Sequence, residues 1–136
     1  MNLEQGIKLV KLARHSIVSY FSNDQLNLEE VQFQEKQGVF VTLTKNSKLR
    51  GCIGFPYPIY PLQKAVIEAA KAAAFQDPRF PALQKEEINE ICVEVSVLTV
   101  PDLIKVHKTE DYIKKIKIGK HGLIIRKSIF SGLLLP

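Results

Sequence analysis

Apolar residues recur at helical spacing from the start of the chain, with Leu3, Ile7, Val10, Ile17 and Phe21 on one stripe, so residues 3–21 are expected to form an amphipathic helix. Asn23 to Lys36 is polar and reads as irregular, anchored by Leu26, Leu28, Val31 and Phe33. The period then falls to two. Gly38 to Lys45 has the β-branched content of a strand, and Leu49 to Phe55 is its partner across a turn at Asn46-Ser47. A two-residue loop sets Lys45 opposite Lys48, Leu43 opposite Arg50, Val41 opposite Cys52 and Val39 opposite Gly54. That register turns Cys52 toward Val39, Val41 and Leu43. The other face, with Phe40, Ile53 and Phe55, is also apolar, so the hairpin is expected to be covered on both sides.

Prolines at 56, 58 and 61 exclude helix and strand and make a stiff exit from the hairpin. Leu62 to Gln76 follows as an alanine-rich helix, whose small side chains allow close approach to a sheet or another helix. Asp77-Pro78 stops it, with Asp77 placed as a cap for a short turn of helix. Ile91 to Thr99 alternates, setting Ile91, Val93, Val95 and Val97 toward a core and Cys92, Glu94, Ser96 and Leu98 on the other face of what reads as a central strand. Farther on come a short helix at Glu110 to Lys115, a strand at Lys117-Ile118, a tight turn at Gly119 to Gly122 and a strand from Leu123 to Lys127. The chain stops on Leu133-Leu134-Leu135-Pro136, an apolar stretch that needs a surface to dock on, so its natural form is expected to continue.

Composition bounds the class. At 136 residues and 46% hydrophobic content, a single domain with a core of its own is expected, without disulfides or metal. The two cysteines lie far apart with no Cys-x-x-Cys spacing, which argues against a zinc site and for reduced thiols in the cytoplasm. No apolar run approaches the length of a membrane span, and Met1 to Gln5 lacks the character of a signal peptide. The net charge of +5 is uneven: residues 105–127 hold eight Lys and Arg against Glu110 and Asp111. This segment is either a solvated face or a basic patch for phosphate-bearing partners, nucleic acid among them. Aromatic residues for stacking on single strands are sparse there.

Candidate chemistry gathers at Arg50-Gly51-Cys52-Ile53-Gly54. Two glycines in a strand mark close approach by a ligand or another backbone, so Gly51 and Gly54 are candidate binding positions. Cys52 has two readings: apolar surroundings raise a thiol's pKa and leave it inert, whereas a guanidinium such as Arg50 favours the thiolate nucleophile. Arg50 on an apolar face requires a carboxylate or a ligand anion. Glu94 needs a partner too, with Arg50 or Arg79 as the candidates, in a structural or a catalytic pair. Lys120 and His121, in the glycine-flanked turn, could join its N–H groups in holding an anion, and His121 is the histidine placed for proton transfer.

Gly38-Val39-Phe40-Val41-Thr42-Leu43, Leu49-Arg50-Gly51-Cys52-Ile53-Gly54, Asp77-Pro78-Arg79-Phe80, Glu94-Val95-Ser96-Val97-Leu98, Ile118-Gly119-Lys120-His121-Gly122-Leu123 and Ser131-Gly132-Leu133-Leu134-Leu135-Pro136 together resemble, in this order, the AMMECR family. The resemblance covers roughly residues 5–136. It implies an α+β fold of two subdomains, with mainly antiparallel or mixed sheets flanked by helices and the Cys52 motif near a cleft. It also implies an enzymatic or regulatory role, Memo-like and radical-SAM proteins as partners, and further residues beyond Pro136. It names no cofactor. On this reading Cys52, Arg50, Glu94 and His121 are catalytic candidates, and Gly51, Gly54, Arg79 and Lys120 contact a small anionic ligand. The alternative is a binding or adaptor module.

Overall fold

The computed structural model describes residues 1–22 and 33–135; the expected irregular stretch is covered only from Phe33 on, and 23–32 lies outside the described residues. The chain divides into two compact units, Met1–Val100 and Pro101–Pro136. Helices and antiparallel sheets occupy separate stretches, the α+β class expected from sequence.

The first unit opens with α1 (Leu3–Ser22). The Asn2 and Gln5 side chains each accept the other's backbone N–H at 2.9 Å, a reciprocal pair that satisfies donors the helix start leaves open. α1 buries Leu9, Leu12, Ala13, Ser16 and Ile17, and the Ser16 hydroxyl donates to the Leu12 carbonyl at 2.7 Å. Next come β1 (Gly38–Lys45) and β2 (Lys48–Phe55), joined at Asn46 and Ser47 with φ of 50° and 60°. Two left-handed residues in succession match the twist of the flanking strands. α2 (Leu62–Phe75) starts after Pro61 without a side-chain cap; the Leu62 and Gln63 N–H groups donate instead to the Glu35 and Phe33 carbonyls. A 3-10 turn at Lys85–Asn89, capped by Gln84 and Glu87, leads into β3 (Ile91–Leu98). The alternation in the sequence gave no sign of that turn.

The sheet has the order β2-β1-β3, all antiparallel. β3 is therefore an edge strand and not the central one its apolar alternation indicated. Val39, Val41 and Leu43 of β1 are wholly buried against α2, in one cluster with Ala65, Ala69, Ala70 and Ala73 of α2 and with the buried residues of α1. Burial of this continuous apolar cluster is the main stabilising term of the unit.

The second unit holds α3 (Asp111–Lys115) and the hairpin β4 (Leu123–Lys127) and β5 (Phe130–Leu134), paired from Leu123 opposite Leu134 to Lys127 opposite Phe130. Lys117-Ile118 is not a strand. It feeds a turn in which Gly119 takes a φ of 76°, a conformation that spares a residue without Cβ. The apolar stretch after Ile129 forms β5, which the sequence reading left unassigned. Among the described residues no helix is long and apolar enough to cross a membrane.

Candidate functional site

The hairpin does not keep the straight register. Lys45 faces Lys48 and Thr44 faces Leu49, but Leu43 then faces Gly51 and Thr42 faces Cys52, so Arg50 is an extra residue bulged out of β2. Since side chains alternate, this single slip exchanges the two faces of the strand. Gly51, Ile53 and Phe55 share the core side with Leu43, Val41 and Val39. Cys52 lies on the other side with Thr42 and Phe40, which corrects the expected packing of Cys52 against the three core residues.

The bulge has a visible cause. Straight pairing would set Arg50 against wholly buried Leu43. Bulged, its guanidinium reaches Glu87, with Nε at 3.0 Å from Oε1 and Nη2 at 2.9 Å from Oε2, and Nη1 donates to the Pro81 carbonyl at 2.9 Å. Lys45 adds contacts to Glu87 at 3.2 Å and Glu90 at 3.1 Å. The Arg50 fork, helped by the Gln84 N–H and Lys45, holds the Glu87 carboxyl down at about 2. The carboxylate that Arg50 requires is thus Glu87, not Glu94.

Gly51 meets another backbone, as one branch of the sequence reading had it. A Cβ there would collide with the Ala73 carbonyl, so the absent side chain is what lets α2 lie on β2. A Cβ at Gly54 would collide with the Val39 carbonyl and would meet Cγ of the Phe40 ring at 2.5 Å. Both glycines therefore have packing partners within the fold.

Asp77 and Arg79 close the outer edge of β2 over Cys52. The Cys52 N–H donates to Asp77 Oδ2 at 2.9 Å, and Arg79 Nη2 donates to the Cys52 carbonyl at 3.1 Å. Arg79 also binds Asp77 through Nε at 3.0 Å and Nη2 at 2.8 Å, and its N–H donates to Asp77 Oδ1 at 3.1 Å. The pair does for the strand what a neighbouring strand would do. Asp77 is buried, and the Arg79 guanidinium, with the Cys52 and Arg79 N–H groups, keeps its carboxyl far below the ordinary carboxylate range despite the burial. It caps a hydrogen-bonded turn, with Phe80 N–H on its own carbonyl at 3.1 Å, and no helix follows.

On the outward face Cys52 Sγ lies 3.2 Å from Thr42 Oγ1, and Glu94 stands opposite Thr42 on β3. A thiol, a hydroxyl and a carboxylate thus form a row across three strands. Glu94 is exposed and accepts from Ser96 Oγ at 3.3 Å; neither arginine proposed for it is its partner. Cys52 is half-buried, and both cysteines are free. Among the described residues no cluster of three His, Cys, Asp or Glu could hold a metal ion.

Lys120 and His121 belong to the second unit. His121 Nδ1 accepts the Lys117 N–H at 3.3 Å while the Lys120 and His121 N–H groups donate to the Lys117 carbonyl, so the turn spends both of these N–H groups on itself. Asp77, Glu87 and Thr42 were not among the sequence candidates. Asp77 carried a signal, because Asp two residues before Arg in a proline turn fits a carboxylate that bonds its own backbone. Glu87 and Thr42 carried none, since their roles depend on the bulge.

The chain is 50% identical over 142 residues to protein MK0488 of Methanopyrus kandleri, covering 100% of this chain and 69% of that one. It is 51% identical over 143 residues to protein PF1979 of Pyrococcus furiosus, covering 98% of this chain and 67% of that one. The crystal structure of the uncharacterized protein PH0010 from Pyrococcus horikoshii superposes with a TM-score of 0.91 at 46% identity, over 99% of this chain and 70% of that one. With a family match running over residues 10–136, the chain belongs to the AMMECR1 family.

Proposed function

We propose that the chain is a cytosolic enzyme or enzyme component that works through Cys52 on the outward face of the β2-β1-β3 sheet. The observation that carries this reading is the fixing of one half-buried residue, Cys52, on three sides: Asp77 on its backbone N–H, Arg79 on its carbonyl and Thr42 on its sulfur. A packed thiol needs no such support, whereas a nucleophile gains from a fixed position. In this role the Cys52 thiol gives its proton to Thr42 Oγ1, whose own proton passes toward Glu94 opposite, leaving a thiolate as the nucleophile. Arg79 has spent Nε and Nη2 on Asp77 and Cys52, leaving Nη1 for a small anionic substrate group. Arg50, Gly51 and Gly54 shape the strand that presents the thiol.

Iodoacetamide labelling of a Cys92→Ser protein between pH 5 and 9 tests the reading. Native Cys52 reacting faster than the denatured thiol at neutral pH supports it. A rate no faster than the denatured thiol removes the nucleophile.

A binding or adaptor role for the second unit is favoured by one observation: Lys105, Lys108, Lys114, Lys115, Lys117, Lys120, Arg126 and Lys127 are all exposed. Such a surface suits RNA or an acidic face of a Memo-like or radical-SAM partner. RNA affinity that falls steeply with salt supports the nucleic-acid form, and no binding at low salt excludes it.

A further inference from the structure

A thiolate that adds to a carbonyl turns the carbonyl oxygen into an oxyanion, which acyl-transfer enzymes hold on backbone N–H groups, commonly that of the nucleophile or of the residue after it. At Cys52 both are taken. The Cys52 N–H donates to Asp77 Oδ2 at 2.9 Å, so a carboxylate oxygen already fills the position such an oxyanion needs. With the Cys52 N–H and C=O directed to the outer edge, the N–H of Ile53 turns inward to β1, where Val41 stands opposite. Asp77 is buried and stays ionised beside Arg79, and Glu94 puts a second carboxylate on the far side of Thr42. Negative charge growing on an oxygen at Cys52 is therefore opposed by its neighbours.

Displacement at a disulfide makes no oxyanion. The thiolate attacks one sulfur, the S–S bond breaks, and the charge passes to the departing sulfur. On the reading of Cys52 as the nucleophile, we infer that its substrate is a disulfide of a small, carboxylate-bearing thiol and not an ester, amide or thioester. Cys52 Sγ forms a new S–S bond to one half of the substrate while the substrate's own S–S bond breaks. The other half leaves as a thiolate and takes up the proton that Cys52 released through Thr42, 3.2 Å from Sγ. Arg79 Nη1 holds the substrate carboxylate, its Nε and Nη2 being engaged by Asp77 and the Cys52 carbonyl. A second molecule of the small thiol attacks the mixed disulfide, leaves as the disulfide and restores Cys52.

The test uses the whole chain with Cys92→Ser and two reagents, oxidised glutathione and p-nitrophenyl acetate, at neutral pH on native protein and on protein unfolded in urea. Intact-mass spectrometry reads the mixed disulfide and the thioester. The native fold should speed the mixed disulfide about tenfold or more over the unfolded thiol, and should not speed the thioester. Asp77→Ala vacates the Cys52 N–H and should raise thioester formation in protein that circular dichroism shows to be folded. A native fold that speeds the thioester as much as the mixed disulfide, no gain in the mixed disulfide, or a folded Asp77→Ala protein without the rise each overturns the inference. Fast alkylation by iodoacetamide alongside any of these results leaves Cys52 a nucleophile for other chemistry, whereas slow alkylation removes the nucleophile and this substrate with it.

Discussion

The carboxylate of Asp77 accepts the backbone N–H of Cys52 at 2.9 Å, tying the turn after α2 to the middle of β2. With Arg79 on the carbonyl of the same residue, a side-chain pair replaces a missing strand at this edge. The thiol is thereby held from outside the sheet, by residues 25 and 27 positions away in sequence.

Asp77→Asn keeps the shape and removes the charge from these hydrogen bonds. It is expected to lower stability by about 1–3 kcal/mol, the range for a weakened buried charged acceptor. Thermal unfolding measures the loss. An unchanged midpoint means the clamp adds nothing to stability.

Acid should act through Glu87 and Asp77. Both fold with pKa values below their ordinary ones, Glu87 falling from 4.5 to about 2, so each contributes stability that is present above the unfolded value. That contribution is lost as pH falls through the folded value. Stability should hold from pH 7 to 5 and drop from about pH 4.5 toward 2, with Glu87 supplying on the order of 3 kcal/mol. Glu87→Gln should flatten the upper part of the drop in urea titrations at each pH.

Gly51→Ala drives a methyl group into the Ala73 carbonyl, where both partners are backbone and neither can turn aside. A loss of about 3 kcal/mol or more is expected, at the upper end of overpacking effects. Denaturant unfolding gives the value, and a change below 1 kcal/mol contradicts the close helix–strand contact.

Thr42→Val removes the hydroxyl beside Cys52 Sγ and keeps the β-branched shape. If the hydroxyl passes the thiol proton, alkylation of Cys52 at neutral pH should slow several-fold and recover in Thr42→Ser. Stability should move by no more than about 1 kcal/mol. Equal rates in all three proteins leave Thr42 with packing alone.

The elements were legible because each rests on a local signal. The stripe from Leu3 to Phe21 gave α1, the alanines after Leu62 gave α2, and alternation gave β1, β2 and β3 almost to the residue. The strand read at Lys117-Ile118 failed for the same reason the others succeeded: two β-compatible residues carry no period, and the glycine after them decides the backbone. β3 looked central because its inner face is Ile91 and three valines, yet one buried face suffices for a strand at the end of a sheet.

By itself the sequence determined the elements, their order and the two-residue turn, since hydrophobic period and turn chemistry act over a few neighbouring residues. The face on which Cys52 lies was decided only by the tertiary structure. Arg50 could not face buried Leu43, Glu87 was within reach outside the sheet, and Gly51 was the residue over which Ala73 could sit. Glu87 lies 37 residues from Arg50 and Ala73 lies 22 from Gly51, and together these contacts shift the strand by one position. With side chains alternating, one position was enough to move the thiol from the core to the outward face.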